Sequence, residues 1–139
     1  MGNVFDNSLF GRPGIKDDTG TFQSDWKAII DNGTLVRGTN SGSNTTVELY
    51  EVPAGKIFYL VSAFLQLYST TTAQADGFFD FNGEHILALR TVGAASVSEA
   101  VSAAFNIPMK LLATQKLRFN TNNAGATAVA GFAGYELNG

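Results

Sequence analysis

The sequence predicts an all-β fold: an antiparallel β-sandwich, jelly-roll-like, of about eight strands, with an extended N-terminal arm and one short helix before it. Three observations carry this expectation. From Leu35 onward apolar residues recur with period two or in short runs, and no window has the 3.6-residue period of a helix. Clusters of Gly, Pro, Asn, Asp and Ser separate the runs. Strands at this spacing, with no helical crossovers between them, close as two packed antiparallel sheets, and eight of them suit a jelly roll.

The elements follow in order. Met1 to about Gln23 has no regular period and is interrupted by Gly11, Pro13, Gly14 and Gly20. It nevertheless carries Val4, Phe5, Leu9, Phe10, Ile15 and Phe22, too many apolar side chains for a solvated linker. Such an arm must lie on a surface, either the domain's own sheet or a neighbouring subunit. Ser24 can cap a short helix through Lys27 to Asp31, with Trp26, Ile29 and Ile30 on one side and Asn32-Gly33 ending it. Strands are then expected at Leu35–Thr39, Thr45–Val52, Lys56–Tyr68, Phe78–Phe81, Glu84–Thr91, Val97–Phe105, Gln115–Thr121 and Thr127–Leu137. The breaks between them include Gly38 to Asn44, Ser69 to Asp76 and Pro108. Residues 1–32 are thus read as arm and helix, and 33–139 as the sandwich domain.

The clearest local motif is Asn82-Gly83, whose residues suit the two positive-φ positions of a type I′ hairpin turn. It sets Phe81 opposite Glu84, Asp80 opposite His85, Phe79 opposite Ile86 and Phe78 opposite Leu87. Asp80 and His85 would then share a face as an ion pair. Lys56–Tyr68 is more unusual. Its odd positions are Ile57, Tyr59, Val61, Ala63, Leu65 and Leu67, and its even ones Phe58, Leu60, Ser62, Phe64, Gln66 and Tyr68. An ordinary sandwich strand wets one face, whereas this one reads as apolar on both. The second face needs a cover, and left open it would form an association patch. Val97–Phe105 presents a small, nearly uncharged face of Ser98, Ala100, Ser102 and Ala104.

Composition narrows the function. The 139 residues make one domain, with no Cys and a single histidine, His85, which excludes disulfide frameworks, cysteine zinc sites, thiol nucleophiles and multi-histidine metal sites. No G-x-S-x-G elbow occurs. The expectation is a chain that is not an enzyme and needs no cofactor or metal. Only 15% of residues are charged, whereas 13 Thr, 11 Asn and 9 Ser leave a neutral, hydrogen-bonding surface that packs readily against protein. A net charge of -3 without clustered Lys or Arg argues against nucleic acid. No apolar run is long enough to span a membrane, and Met1 to Phe10 lacks the charge and apolar pattern of a secretory signal. The N-x-Thr triplets at Asn32 and Asn44 are accordingly read as turn chemistry.

The stretch Glu51-Val-Pro-Ala-Gly-Lys-Ile-Phe-Tyr-Leu60 resembles the strand–turn–strand opening of small jelly-roll-like β-sandwich proteins in tailed-phage virions. Asn106-Ile-Pro-Met-Lys-Leu111, Lys116-Leu-Arg-Phe119 and Gly134-Tyr-Glu136 are similar to the second half of the same type. The resemblance spans about Thr45 to Leu137 and implies a capsid decoration or cement protein, usually a homotrimer. It carries over no site residues, since its motifs encode turns and strand ends.

The resulting expectation is a structural virion protein, assembled in the host cytoplasm. It would self-associate through its sandwich and bind the major capsid protein or another virion protein. Phe5, Leu9, Phe10 and Phe22 of the arm, with Phe58, Leu60, Phe64 and Tyr68 of the strand, are the expected partner contacts. The alternative is a carbohydrate-binding module of a tail or fibre protein, for which Trp26 and Tyr50, Tyr59, Tyr68 and Tyr135 are the available Trp and Tyr residues.

Overall fold

The computed structural model describes residues 15–16, 22–23, 25–70, 74–91 and 97–139. Two short strands, β1 (Ile15–Lys16) and β2 (Phe22–Gln23), pair antiparallel with Lys16 opposite Phe22. The arm therefore contains regular pairing where the sequence has no period; two-residue strands are too short to leave one. The helix α1 (Asp25–Asn32) follows, and then eight longer strands. These are β3 (Thr34–Gly42), β4 (Thr46–Glu51), β5 (Lys56–Ser69), β6 (Ala75–Phe81), β7 (Glu84–Thr91), β8 (Val97–Leu112), β9 (Lys116–Thr121) and β10 (Ala126–Asn138).

The eight form two four-stranded sheets, in the orders β3-β10-β5-β8 and β4-β9-β6-β7. The pairs β3·β10, β4·β9, β5·β8 and β6·β7 are all antiparallel and hydrogen-bonded. That nesting is one long two-stranded ribbon, first strand with last and so inward, wound so that successive pairs alternate between sheets. The architecture is a jelly roll. The tip of the ribbon is the β6–β7 hairpin, where Asn82 and Gly83 have φ of 48° and 96° as a type I′ turn requires.

Bulges decide which residues face inward. In the hairpin the register keeps Asp80 opposite His85 but slips beyond it, so Phe79 faces Leu87 and Phe78 faces Ala88 rather than the expected Ile86 and Leu87. Within β5 the register against β8 and β10 shifts around Val61. The extra residue reverses the side-chain phase. Phe58 and Leu60 before the shift, and Ala63, Leu65 and Leu67 after it, all point into the core. The strand is therefore not apolar on both faces along its length; it exchanges its odd and even faces midway.

Two expected breaks are absent. β3 runs on through Gly38 to Gly42, held by β10 along its whole length. β8 continues through Pro108, because it is an edge strand and bulges there. Its register passes from Ala104 opposite Ser62 to Met109 opposite Leu60, with Phe105 to Pro108 between them having no partners in β5. A proline without a ladder donor fits only such a position.

The core between the sheets is built on Val52, Phe58, Leu60, Leu65, Leu67, Phe79, Leu111, Leu117 and Phe119, all fully buried. Phe58 and Phe132 meet edge-on, with ring centroids 5.8 Å apart, and Tyr50 tilts against both. Gly134 makes this packing possible: a Cβ there would lie 2.3 Å from the Phe58 ring and 2.3 Å from the Tyr59 carbonyl oxygen. The helix buries Ala28 and Ile29 and leaves Ile30 exposed, so Ile30 does not join the buried face expected of it. Asn32 Nδ2 donates to the Ala28 carbonyl and the Gly33 amide to the Ile29 carbonyl, which closes the helix at Asn32-Gly33. Ser24, the expected cap, lies outside the described residues.

Candidate functional site

The outer faces of the two sheets differ in chemistry. The β4-β9-β6-β7 face is laced with ion pairs. Lys116 Nζ lies 2.7 Å from Glu48 and 2.8 Å from Glu51, Arg118 lies 3.1 Å from Asp80, and Arg90 Nε lies 2.7 Å from Asp76. The hydrogen bond from Arg90 holds the Asp76 carboxyl below its ordinary range, and Asn122 adds a further donor. The carboxylates of Glu48 and Glu51 likewise hold the Lys116 ammonium above its usual value.

Asp80 and His85 face each other in backbone register but do not form the expected ion pair. Asp80, nearly buried, accepts from the Gly83 amide at 2.5 Å and pairs with Arg118. His85 instead stacks on Phe78, centroids 4.4 Å apart and ring planes 20° apart. The competing cation comes from β9, a strand that pairs β6 from its other side. Sequence reasoning confined to the hairpin could not see it.

The β3-β10-β5-β8 face is sparsely charged, with Arg37 on β3 and Lys110 on β8, and shallowly hollowed. A groove of 590 Å³ runs across all four strands, and Arg37 is the one charged residue in its lining. Its walls and floor are small: Thr39, Ser62, Ser102, Ala104, Gly131 and Ala133. Phe64 is the exception. Its ring lies against Gly131, where a Cβ would come within 2.3 Å of the ring, and it remains 37% exposed. Tyr68 continues the same outward row, and Leu35 and Leu112 lie exposed on the two edge strands. The small face of Ser98, Ala100, Ser102 and Ala104 read from the sequence forms the β8 side of this surface.

The structure thus separates the expected contact residues. Phe64 and Tyr68 are outward and adjoin the groove or its row. Phe58 and Leu60 are core residues at 0% exposure, placed inside by the Val61 bulge. Phe22 stands in β2, while Phe5, Leu9 and Phe10 lie outside the described residues. What the sequence missed is Gly131, whose missing side chain makes the seat for Phe64. Tyr59 and Tyr135 face each other across β5 and β10, whereas Tyr50 is turned inward.

One end of the sandwich carries a further polar cluster. The Tyr50 hydroxyl donates to Glu136 Oε2 at 2.5 Å, joining the two sheets. Burial, and then the Glu136 carboxylate, push the Tyr50 phenol above its ordinary range. Lys56 Nζ donates to Asn138 Oδ1 at 2.8 Å and stands 3.7 Å from Glu136 Oε1. Among the described residues no three His, Asp or Glu side chains are grouped to hold a metal ion, and no helix is long and apolar enough to cross a membrane.

No family model and no curated protein matches the chain. Solved structures similar to it in fold include the capsid of the Helicobacter pylori bacteriophage KHP30, at 15% identity and TM-score 0.47 over 78% of this chain and 94% of that one. A virus-like particle of the extra small virus of the prawn Macrobrachium rosenbergii is similar at 12% identity and TM-score 0.38, covering 76% and 80%. The disulfide-linked pili of Bacillus endospore appendages are similar at 13% identity and TM-score 0.34, covering 77% and 90%. With every score below 0.5, these are likenesses of outline, and they extend neither to partners nor to assembly.

Proposed function

We propose that the chain is a non-enzymatic structural protein of a virion, a decoration or cement subunit that self-associates as a homotrimer and binds the shell. One observation carries the reading: the outer face of the β3-β10-β5-β8 sheet is sparsely charged, small-residued around its groove and hollowed, with Phe64 and Tyr68 exposed on it, while the opposite outer face is solvated by ion pairs. A face of the first kind desolvates at little electrostatic cost, and an exposed aromatic among small residues is the composition of an association patch. The virion setting rests on the resemblance in the strand ends around Pro53-Ala54-Gly55 and Pro108. In this reading residues 33–139 form the associating domain. Residues 1–32, with Phe5, Leu9, Phe10 and Phe22, supply the grip on a major capsid protein, with assembly in the host cytoplasm.

The groove also favours a second reading. Phe64 with Arg37, Ser62 and Ser102 offers an aromatic plate beside hydrogen-bonding groups, which is how a carbohydrate-binding module would hold a sugar ring. Light scattering after gel filtration, followed by titration calorimetry with a glycan panel, separates the two. The first reading expects a trimer that binds no glycan; a monomer that binds one overturns it in favour of the second.

A further inference from the structure

We propose that Lys56 and Asn138 become joined by an amide cross-link that the protein forms by itself. The inference is independent of the association face. It rests on three groups converging at one end of the sandwich: an amine, a carboxamide and a carboxylate placed to move the proton between them.

Lys56 opens β5 and Asn138 closes β10, and the two are direct cross-strand partners. Glu136 faces Phe58, two residues along the same pair of strands, so Lys56, Phe58, Glu136 and Asn138 share one side of the sheet. That is the side facing the other sheet, since Phe58 is a fully buried core residue, and Lys56 and Asn138 stand at its solvent-exposed end. Lys56 Nζ lies 2.8 Å from Asn138 Oδ1 and therefore beside the carboxamide carbon bonded to that oxygen. Glu136 Oε1 is 3.7 Å from the same nitrogen, while its other oxygen is held at 2.5 Å by the Tyr50 hydroxyl reaching across from the opposite sheet. Tyr50 in turn is fixed between Phe58 and Phe132. Held reactants of this kind gain most of what a bimolecular encounter would cost.

The chemistry balances without an oxidant or cofactor. Glu136 takes a proton from the Lys56 ammonium, and the freed lone pair attacks Asn138 Cγ. A C–N bond forms, and the carbonyl electrons move to oxygen. The proton on Glu136 then passes to the carboxamide nitrogen, the C–NH₂ bond breaks as the carbonyl re-forms, and the departing ammonia takes the surplus proton from the former Lys56 amine and leaves as ammonium. Lys56 is 36% exposed and Glu136 17%, so solvent is close enough to carry the ammonium away. In a chain with no cysteine, this bond would do what a disulfide does elsewhere, closing a long loop between neighbouring strands.

The test is intact-mass spectrometry of the whole chain under denaturing conditions, followed by peptide mapping. The proposal expects a mass below that of the sequence by one ammonia, and a tryptic peptide in which Lys56 is uncleaved and joined to Asn138. Lys56→Arg and Asn138→Ala should both return to full mass, and Glu136→Gln should leave most of the chain unlinked. Full mass in the wild-type chain after prolonged incubation overturns the proposal, whatever the variants do. So does an ammonia loss that persists in Lys56→Arg, which would mark a succinimide at an Asn-Gly pair such as Asn82-Gly83.

Discussion

The two sheets bury their inner faces against each other in the same way and differ on the outside. On β4-β9-β6-β7 the outward positions carry Glu48, Asp76, Asp80, Arg90, Lys116 and Arg118 in pairs within hydrogen-bond reach. On β3-β10-β5-β8 the outward positions around the groove are mostly Ser, Thr, Ala and Gly, with Phe64 and Tyr68 exposed among them and with Arg37 and Lys110 charged but, among the described residues, not paired in this way. Strand period alone does not distinguish these faces, since both alternate. The difference lies in what each face does with water: the first is paid for by solvation and pairing, the second has little to lose when another surface covers it.

The largest effect expected from this difference comes from one residue type on one strand. Phe58→Ala should cost about 3–5 kcal/mol, because the ring is fully buried in the core. Phe64→Ala, on the far side of the Val61 bulge, should cost about 1 kcal/mol in the dissociated chain. Urea melts of the two variants in dilute solution measure this, and equal costs would place Phe64 in the core as well.

Two glycines of β10 sharpen the same point. At Gly134 a new Cβ would meet the Tyr59 backbone oxygen, which cannot move aside, so Gly134→Ala should destabilise by about 1–3 kcal/mol. At Gly131 it would meet the Phe64 ring, which can lift toward solvent. Gly131→Ala should therefore cost less than Gly134→Ala in thermal melts while raising the exposure of Phe64 to fluorescence quenching or labelling by solvent radicals.

The smallest effect belongs to the charged face. In the folded chain the Asp76 pKa is lowered from its unfolded value, so its stabilisation is complete above about pH 4 and is lost as pH falls through the folded value. The pair is solvent-facing, and the loss should stay within about 1 kcal/mol. Asp76→Asn should flatten that part of the acid limb in melts taken from neutral pH downward. An unchanged acid limb would assign it to other carboxylates.

Much of this arrangement was legible in the sequence. The eight strands and the Asn82-Gly83 turn follow from alternation and turn chemistry, and Glu84–Thr91 is bounded as expected. The bulges were not legible, for a physical reason. Around Val61 both phases of β5 are rich in apolar residues, so inserting one residue leaves the pattern looking unbroken while moving Phe58 and Leu60 from one face to the other. Asp80 was misassigned because its partner, Arg118, comes from β9, far along the chain. Pro108 read as a break because the sequence does not say which strand is an edge. The groove depends on Gly131 beneath Phe64, a contact between β10 and β5 that only the winding of the ribbon brings together.

Light scattering of the wild-type chain beside two charge variants tests the contrast between the faces most directly. Phe64→Glu places a charge at the centre of the sparsely charged face, and Lys116→Glu reverses one on the paired face. The account predicts an oligomer at micromolar concentration that Phe64→Glu reduces to a folded monomer and Lys116→Glu leaves assembled. A wild-type monomer, or an assembly that survives Phe64→Glu and falls apart with Lys116→Glu, would contradict it.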